Sequence, residues 1–148
     1  MAVITMTNNK GNVLVDDEDF ERLSQHRWRR STQGRPITTI QNKTVLMHRL
    51  LLKTDLYVDH INGDYLDNRK ANLRAATAKQ NMYNKKPGRR SLTGIKGVGW
   101  CKQTKKWKVT IFANGKRRTL GRFNCIEKAK NVYNNFAREY HGEFARLN

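Results

Sequence analysis

The chain has 148 residues, which is enough for one ordinary domain or two small ones. Its 30 Lys and Arg against 12 Asp and Glu give a net charge of +18, a self-repulsion that a polyanion would relieve. This charge favours nucleic acid as the partner over an anionic membrane surface, since no basic amphipathic helix with a broad apolar face is evident. No apolar run approaches the roughly 20 residues that span a bilayer, so no membrane association is expected.

The N-terminus and the cysteines predict a reducing, cytoplasmic setting. The opening MAVITMTNNKGN lacks the positively charged start and long apolar stretch of a signal peptide. Cys101 and Cys125 stand apart and form no Cys-x-x-Cys pair. We therefore expect neither a structural zinc site nor a disulfide.

Residues 1–57 predict two hairpins and a helix. VITMTNNKGNVLVDDEDFERL holds two apolar runs around an Asn-Lys-Gly turn signal, and an acidic helix start follows. The four acids at 16–19 resemble a metal cluster, but the first turn of a helix also attracts acids, and we favour that interpretation. ITTIQNKTVLMHRLLL then predicts a hairpin with Gln41-Asn42-Lys43 at its tip, running into an apolar segment.

Residues 58–86 predict a strand, a long loop, a second strand and a helix, which together form a compact ββα unit. VDH ends a short apolar run, an Asn-Gly-Asp turn follows, and NLRAAT predicts the second strand. Thr77 followed by Gln80 fits a capping box, so a helix is expected to start at Thr77. Asn81 then lies one turn inside that helix.

Three residues of this unit carry chemistry suited to phosphodiester hydrolysis, which needs an activated water and a metal to absorb developing charge. The carboxylate of Asp59 and the amide oxygen of Asn81 suit a hard cation such as Mg²⁺. The neutral imidazole of His60 suits a general base. Asp64 and Asp67 are alternative ligands, or they form loop-capping Asx turns. Taken alone, an Asp-His pair before a turn is also typical of a structural loop, and both interpretations stand.

Residues 87–94 predict a basic linker that separates the chain into two regions. In the surrounding KKPGRRSLTG, Pro87 and Gly88 break any helix, and basic residues crowd around them. Such a linker either lies along DNA phosphates or acts as a solvated hinge.

Residues 95–148 predict a three-stranded antiparallel sheet with a helix on one side. The strand-like runs are joined by Gln-Thr-Lys-Lys and by Asn114-Gly115, the strongest short hairpin signal. IEKAKNVYNNFAREYHG places its apolar residues on one helical face, and Gly142 closes the helix. Alternation directs Val109 and Ile111 towards this helix.

The opposite face of that sheet is expected to be basic and aromatic and to bind double-stranded DNA. Its Arg residues would read guanine edges while its Lys residues mostly meet phosphate. An ordinary exposed face, with the tryptophans in the core, is the alternative. Three of the face residues, Lys96, Trp100 and Lys102, are placed on the first strand. The complete predicted set is Lys96, Trp100, Lys102, Lys108, Thr110, Phe112, Arg117, Arg118 and Thr119.

The segment MHRLLL…VDHINGDYLDNRKANLRAATAKQNMYNKK, residues 47–86, resembles the HNH nuclease family in its phage and homing-endonuclease branch. The shared frame is D-H-I-N-G-D…D-N…N-L-R…A-T…Q-N…N. The resemblance implies His60 as the general base, Asp59 as a metal ligand, and Asn72 as a brace that hydrogen-bonds to loop backbone. It implies Asn81 as the second ligand where many members have His, which favours Mg²⁺ or Mn²⁺ over zinc.

Four other residues near this motif are candidates for phosphate contact or support. His48 lies in MHR, which resembles the segment before the motif in that branch, and it either contacts the scissile phosphate or packs the hairpin. Arg69 and Arg74 are phosphate clamps or simply part of the basic surface. The four are His48, Arg49, Arg69 and Arg74.

Residues 93–148 resemble an APETALA-type, or ethylene-response-factor-type, DNA-binding domain. The resemblance rests on KGVGW, KKWKVTI, NGKRRTLGRF, the EKA…Y helix and HGEFARLN. In that family the sheet lies in the major groove, as in other β-sheet readers. The family's usual base-reading Arg positions on the first strand are Gly99 and Cys101 in this chain. Its sequence preference is therefore not carried over.

The predicted fold class is α+β, with N-terminal β-hairpins, a ββα-metal HNH unit, and a three-stranded sheet packed on one helix. The predicted domains are a nuclease domain at 1–86, with its core at about 46–86, a linker at 87–94, and a DNA-binding domain at 95–148. The predicted function is a metal-dependent DNA endonuclease, homing-type or phage-encoded, that uses Mg²⁺ or Mn²⁺ and needs no obligate protein partner. The alternatives are a DNA-binding regulator with an inactive nuclease domain, and an RNA-binding protein, which the lack of an aromatic stacking platform disfavours.

Overall fold

The computed structural model describes residues 1–7, 11–88 and 91–148, and it is a mixed α and β protein, as the sequence predicts. The chain divides into two compact units, Met1–Asn81 and Met82–Asn148. Within the described ranges no helix is both long and apolar enough to cross a bilayer. The strands and α-helices, in chain order, are β1 (Ala2–Thr5), β2 (Asn12–Val15), α1 (Asp17–Ser24), β3 (Arg29–Arg30), β4 (Pro36–Ile40), β5 (Lys43–Leu46), α2 (Met47–Leu52), β6 (Tyr57–His60), β7 (Leu73–Ala76), α3 (Ala78–Asn84), β8 (Val98–Cys101), β9 (Lys106–Ala113), β10 (Lys116–Phe123) and α4 (Ile126–His141).

The first unit contains three small antiparallel groups of strands, formed by β1 with β2, by β3, β4 and β5, and by β6 with β7. The predicted turn between β1 and β2 falls largely on residues 8–10, which lie outside the described ranges. The predicted β4–β5 hairpin is present, and Gln41 and Asn42 at its tip have φ of 47° and 61°. Positive φ at both positions suits a tight two-residue turn.

The core of the first unit gathers side chains from its strands and helices around Trp28, which is 1% exposed. The indole Nε1 of Trp28 donates a hydrogen bond to the carbonyl of Leu23, at 2.7 Å, so the buried ring leaves no polar atom without a partner. Met6, Val13 and Met47 are fully buried in the same cluster. This core supports the sheet elements on which the candidate site is built.

The predicted ββα unit is present as β6, a long loop, β7 and α3. In the β6–β7 pair, Asp59 lies opposite Arg74 and His60 lies opposite Leu73. The predicted capping box is also present, because the Thr77 backbone N–H donates to Gln80 Oε1 at 2.8 Å and the Gln80 N–H donates to Thr77 Oγ1 at 3.2 Å. The helix itself begins at Ala78, with Thr77 just outside it as the cap.

The acids at 16–19 lie at the start of α1, as the helix interpretation predicts. Asp17, Glu18 and Asp19 occupy its first turn, where they face the positive end of the helix dipole. Asp16 accepts a hydrogen bond from the Lys70 backbone N–H at 2.7 Å, and Asp19 forms an ion pair with Arg22 at 2.6 Å. These carboxylates therefore hold the helix start and a neighbouring loop.

The second unit is an antiparallel sheet in the order β10-β9-β8, with α4 packed across one face. Val109 and Ile111 on β9 are buried against this helix, as alternation predicts. The β9–β10 turn is formed by Asn114 and Gly115, with φ of 52° and 75°. Gly97, at φ +73°, lets the backbone pass against the Tyr133 ring and the Thr110 carbonyl, where no side chain fits.

Three residues predicted on this sheet are placed differently. Arg118 pairs with the buried Ile111, on the side that packs against α4, and its guanidinium lies 5.9 Å from the Tyr140 ring centroid on α4. Lys96 and Lys102 were predicted on the first strand and lie just outside β8. Trp100 pairs with Trp107, with the two rings edge-on at 4.8 Å, and it remains 47% exposed.

Candidate active site and nucleic-acid interface

Asp59 and His60 end strand β6, where both side chains are buried at 4% and 2% exposure. Consecutive residues on a strand point to opposite sides, so the two side chains enter different surroundings. The Asp59 carboxylate meets its cross-strand neighbour Arg74, whose Nε and Nη2 donate to Oδ2 at 2.9 and 2.8 Å. This pairing compensates the buried negative charge of Asp59 and fixes one of its oxygens.

The imidazole of His60 lies among Asn68, Tyr65 and His48. Its Nε2 is 3.4 Å from Asn68 Oδ1, and its ring centroid is 5.4 Å from that of Tyr65 and 5.3 Å from that of His48. Asn68 Nδ2 donates to the Tyr65 carbonyl at 2.8 Å, which turns its Oδ1 towards the ring. An amide oxygen only accepts, so this contact places the proton on Nε2 and leaves Nδ1 as the basic nitrogen of His60.

Both histidines of this pocket are held in the neutral form. Burial lowers the pKa of His48 to about 3, aided by the repulsion that a protonated His60 would add and by the positive charges of Arg35 and Arg49. Burial also lowers the pKa of His60, and Arg35 acts in the same direction, while the Asn68 hydrogen bond opposes them. A neutral imidazole at pH 7 can accept a proton.

The loop between β6 and β7 is held by a network of amide and carboxylate side chains. Asn72, 8% exposed, accepts from the Asn62 backbone N–H at 3.0 Å through Oδ1, and its Nδ2 donates to the Asp67 carbonyl at 2.8 Å. Asp64 accepts from the Leu66 N–H at 3.0 Å, as an Asx turn does. The Leu14 N–H on β2 donates to the Leu66 carbonyl, and the Leu14 carbonyl accepts from the Asn68 N–H, both at 2.8 Å. These two bonds attach the loop to the first hairpin. The loop therefore fixes the position of His60 at the end of β6.

Asn81 lies on α3, one turn after the Thr77 cap, and is half-buried. Its backbone N–H donates to the Thr77 carbonyl at 3.0 Å, as expected inside a helix. The helix follows β7 directly, so Asp59 lies on the first strand of the ββα unit and Asn81 on its helix, with β7 between them in the chain. Across the described parts of the chain, no group of three or more His, Cys, Asp or Glu is placed to hold a metal ion. Any site built here would combine one carboxylate with an amide.

The predicted phosphate clamps Arg69 and Arg74 are engaged by carboxylates instead. Arg69 Nε donates to Asp67 Oδ1 at 2.8 Å, and Arg69 Nη2 donates to Asp67 Oδ2 at 2.7 Å. These hydrogen bonds lower the pKa of Asp67. Arg74 is bound to Asp59 in the same way and is largely buried. Arg49 donates to the Thr54 carbonyl at 3.3 Å, near the end of α2. The sequence could not reveal these pairings, because each depends on how the loop and strands fold.

His48, predicted to contact phosphate or to support the hairpin, lies at the start of α2 and is 3% exposed. Its ring packs edge-on against His60, and its Nδ1 has no hydrogen-bond partner among the described residues. The ring is therefore nearly inaccessible in this conformation, as is that of His60.

Three residues of the site were not predicted from the sequence: Asn68, Tyr65 and Arg35. Asn68 is completely buried and orients His60, and Tyr65 covers one edge of that ring. The guanidinium of Arg35 lies 4.8 Å from the Tyr65 ring centroid. The only local signal for Asn68 was the Asp67-Asn68 pair in the loop. No feature of the sequence around Arg35 predicts that its guanidinium lies beside Tyr65.

In the second unit, an open groove of about 1100 Å³ runs along the face of the sheet that points away from α4. Outward residues of all three strands line it, among them Gly99, Lys108, Thr110 and Arg117. Further lining comes from residues 82, 85–88, 91 and 95–97, including Lys85 and Lys86. None of its described lining residues is Asp or Glu. The remaining predicted residues of this face behave as expected, since Phe112 and Thr119 pair with Arg117 and Thr110 in register.

Lys96 also lines this groove, but its ammonium group is turned to backbone. Its Nζ donates to the Met82 and Tyr83 carbonyls. The Tyr83 ring stacks on His141 at a centroid distance of 3.8 Å, and the His141 Nε2–H donates to the Phe112 carbonyl at 2.8 Å. These contacts hold residues 82–84 beside the groove. Lys96 therefore shapes the groove as well as adding to its charge.

Comparison with known proteins shows which family the chain is similar to. Residues 52–83, which include the Asp59-His60 pair and Asn81, match the profile described as HNH endonuclease. An uncharacterized HNH endonuclease of Acanthamoeba polyphaga mimivirus is 31% identical over 143 residues, covering 91% of this chain and 73% of the relative. Protein 3.8 of Escherichia phage T7 is 37% identical over 91 residues, covering 62% of this chain and 74% of the relative. No solved structure gives a significant match.

Proposed function

The chain belongs to the HNH endonuclease family and is a DNA-cleaving hydrolase, and we propose that it is a metal-dependent, two-part enzyme of phage or homing type. In this proposal the first unit performs the cleavage and the second unit binds the duplex. The observation that carries the first part is the His60 pocket, where a buried, neutral imidazole is oriented by Asn68. Relatives in two viruses support a phage-encoded enzyme that acts in the cytoplasm of the infected cell.

His60 acts as the general base through Nδ1, the nitrogen that Asn68 leaves unprotonated. It accepts one proton from a water molecule as the water oxygen bonds to phosphorus. The bond from phosphorus to the leaving deoxyribose oxygen breaks, and that oxygen takes a proton from solvent. A positioned base of this kind contributes about 100- to 10,000-fold to the rate. Asn72 supports the reaction indirectly, since its hydrogen bonds hold the loop that carries Asn68.

Asp59 and Asn81 are the residues that would hold the metal ion. The chemistry of the two donors fits Mg²⁺ or Mn²⁺, because both offer hard oxygen atoms and neither offers sulfur or imidazole nitrogen. Two protein ligands leave coordination positions for water and a phosphate oxygen, as is usual for Mg²⁺. When bound, such an ion neutralises charge that develops on the phosphate. Arg74 holds the Asp59 carboxylate in place beside this site.

The second unit would bind double-stranded DNA through the groove on its sheet. The groove is lined by Lys and Arg side chains without a described acid, which suits a polyanionic backbone. Arg117, Thr110, Phe112, Lys108 and Thr119 are exposed or half-exposed on this side. We propose that they form the contact surface of an APETALA-type domain, with Lys96 and Lys102 at its edge. Arg118 is left out, because it lies beside Tyr140 of α4, while Trp100 lines the groove and is 47% exposed.

One observation favours the alternative, a DNA-binding regulator with an inactive nuclease domain. His60 is 2% exposed and Asp59 is ion-paired with Arg74, so the site is closed in this conformation. Cleavage would then require the phosphate to displace part of this packing.

Incubation of supercoiled plasmid with the protein and Mg²⁺, beside a His60→Ala variant, separates these functions. The proposal predicts nicked or linear product that EDTA abolishes and that falls about 1000-fold in the variant. DNA binding by the variant should stay within twofold of the wild type. Wild-type protein that binds duplex tightly without cutting it would instead establish the regulator.

A further inference from the structure

The candidate active site lacks an uncommitted cation at the positions where the sequence predicts phosphate clamps. Arg69 is held by Asp67, and Arg74 is held by Asp59. The phosphate of a DNA strand gains negative charge as it is attacked, and a fixed guanidinium is the side chain best suited to bind it. Another arginine of the first unit has the position and the unengaged charge for this task.

Arg35 is the last residue of the turn between β3 and β4, and it directly precedes Pro36, the first residue of β4. Its backbone is fixed on both sides, because its N–H donates to Ser31 Oγ at 3.1 Å and its carbonyl accepts from the Ser31 N–H at 2.9 Å. A rigid turn holds the start of the side chain in one direction, so the guanidinium reaches Tyr65 from a fixed base.

The guanidinium of Arg35 belongs to the same cluster as His60. It lies 4.8 Å from the Tyr65 ring centroid, and that ring lies 5.4 Å from the His60 ring, so the charge is at most about 10 Å from the imidazole. The positive field of Arg35 reaches the site, since it helps to lower the pKa of His48, whose ring lies 5.3 Å from that of His60. Tyr65 is 36% exposed, so this side of the cluster reaches solvent, where DNA arrives.

No described carboxylate forms an ion pair with Arg35, and its Nε is buried without a hydrogen-bond partner in the part of the chain that the structure describes. Buried polar groups in folded proteins are nearly always satisfied, and exceptions occur where a ligand completes the site. The cation–π contact with Tyr65 positions the guanidinium group, and because the residue as a whole is only half-buried, its remaining N–H groups can meet an oxyanion.

We infer that Arg35 binds the scissile phosphate and stabilises the charge that develops on its non-bridging oxygens during the attack assisted by His60. This inference rests on the proposed nuclease function and adds to it the phosphate-binding group. It also assigns Tyr65 as the positioning residue that holds Arg35 beside His60.

Two readouts test the inference, one catalytic and one that needs no metal. Arg35→Ala should lower the single-turnover cleavage rate about 100-fold, which is the usual effect of removing one charge-stabilising donor. Arg35→Lys should retain an intermediate rate because the charge remains. Free guanidinium ion, at concentrations far below those that unfold the protein and against matched NaCl, should restore part of the rate to Arg35→Ala. In EDTA, the plot of log affinity against log salt for duplex DNA should lose a slope of about 0.9 in Arg35→Ala.

Arg29→Ala is the matched control, because Arg29 is exposed on neighbouring β3 and its replacement removes the same charge. It should cleave like the wild type. Arg35→Ala with wild-type rate and salt slope would overturn the inference. So would a rate loss that neither Lys nor guanidinium relieves, accompanied by lower thermal stability, since that describes a purely structural residue. Wild-type protein that fails to cleave, while the salt slope still falls in Arg35→Ala, would refute the nuclease proposal and keep the phosphate contact.

Discussion

The two units of this protein use charge in opposite ways. Met1–Asn81 contains 13 Lys and Arg against 9 Asp and Glu, whereas Met82–Asn148 contains 17 against 3. In the first unit, arginines hold buried carboxylates in place, as Arg74 does for Asp59 and Arg69 for Asp67. In the second unit, Lys and Arg line a groove without a described acid. The first arrangement builds a rigid polar site, and the second attracts a polyanion.

This difference explains why the net charge alone could not indicate which residues carry out the reaction. Most of the excess charge lies in the second unit, where it raises affinity for any nucleic acid irrespective of sequence. The proposed reaction depends instead on a few buried groups around His60. These groups lie in the first unit, where the numbers of basic and acidic residues are more nearly equal. Variants in the two units should therefore affect different measurements.

Gly97→Ala should have the largest effect and should be confined to the second unit. A Cβ on Gly97 would overlap the Tyr133 ring and the Thr110 carbonyl oxygen, and φ is +73°. Overpacking and backbone strain together should lower the free energy of unfolding of this unit by about 3 kcal/mol or more. Hydrogen exchange should show protection lost from β8–β10 and kept in β1 and β2.

Gly99→Ala is the control for that variant, because a Cβ there meets nothing within 4 Å. Its unfolding free energy should change by less than about 0.5 kcal/mol. Equal stability of the two variants would contradict the packing described at Gly97.

Asn68→Ala should have the next largest effect, and on the cleavage rate rather than on binding. The change removes the oxygen that orients His60 Nε2 and should slow single-turnover cleavage by about 10- to 100-fold. Asn68→Asp keeps an acceptor oxygen but loses the Nδ2–H bond to the Tyr65 carbonyl, so it should not restore the wild-type rate. A rate for Asn68→Ala equal to that of the wild type would show that His60 needs no such orientation.

A smaller effect concerns acid stability, to which His48 contributes. Burial lowers the folded-state pKa of His48 from its ordinary 6.5 to about 3, so the unfolded chain binds the proton more tightly. Stability from this group is complete above about pH 6.5 and is lost as the pH falls towards 3. Between pH 7 and 5 the loss should be about 1 to 2 kcal/mol, measured by urea unfolding. His48→Leu should flatten this dependence, and an unchanged pH profile would contradict the buried, neutral state of His48.

The local elements were predictable because each has its own short signal. The Asn114-Gly115 turn, the Thr77–Gln80 capping box and the apolar face of α4 all depend on residues close together in sequence. The predicted position of Arg118 was wrong because its charge was given more weight than strand register, which pairs it with the buried Ile111.

The candidate site was predictable in its motif and not in its surroundings. Asp59, His60, Asn72 and Asn81 form one continuous frame, so a resemblance could indicate them. The groups that orient and electrostatically surround His60 come from elsewhere, since Arg35 and His48 precede the motif and meet it only after folding. Arg74 and Asp59 are paired across β6 and β7, a contact that depends on the fold, whereas Arg69 and Asp67 lie only two residues apart in the loop. Side-chain contacts that form only on folding are not indicated by local sequence patterns.

The most direct test of the division between the units measures cleavage and binding on one duplex for His60→Ala and Arg117→Ala. Arg117 is exposed on the groove face of the second unit, opposite Phe112. The account predicts that His60→Ala loses cleavage at saturating protein and keeps the wild-type affinity and salt slope. It predicts that Arg117→Ala binds a few-fold more weakly, loses about one unit of salt slope, and cleaves normally once saturated. Normal cleavage by His60→Ala, or unaltered binding by Arg117→Ala, would contradict it.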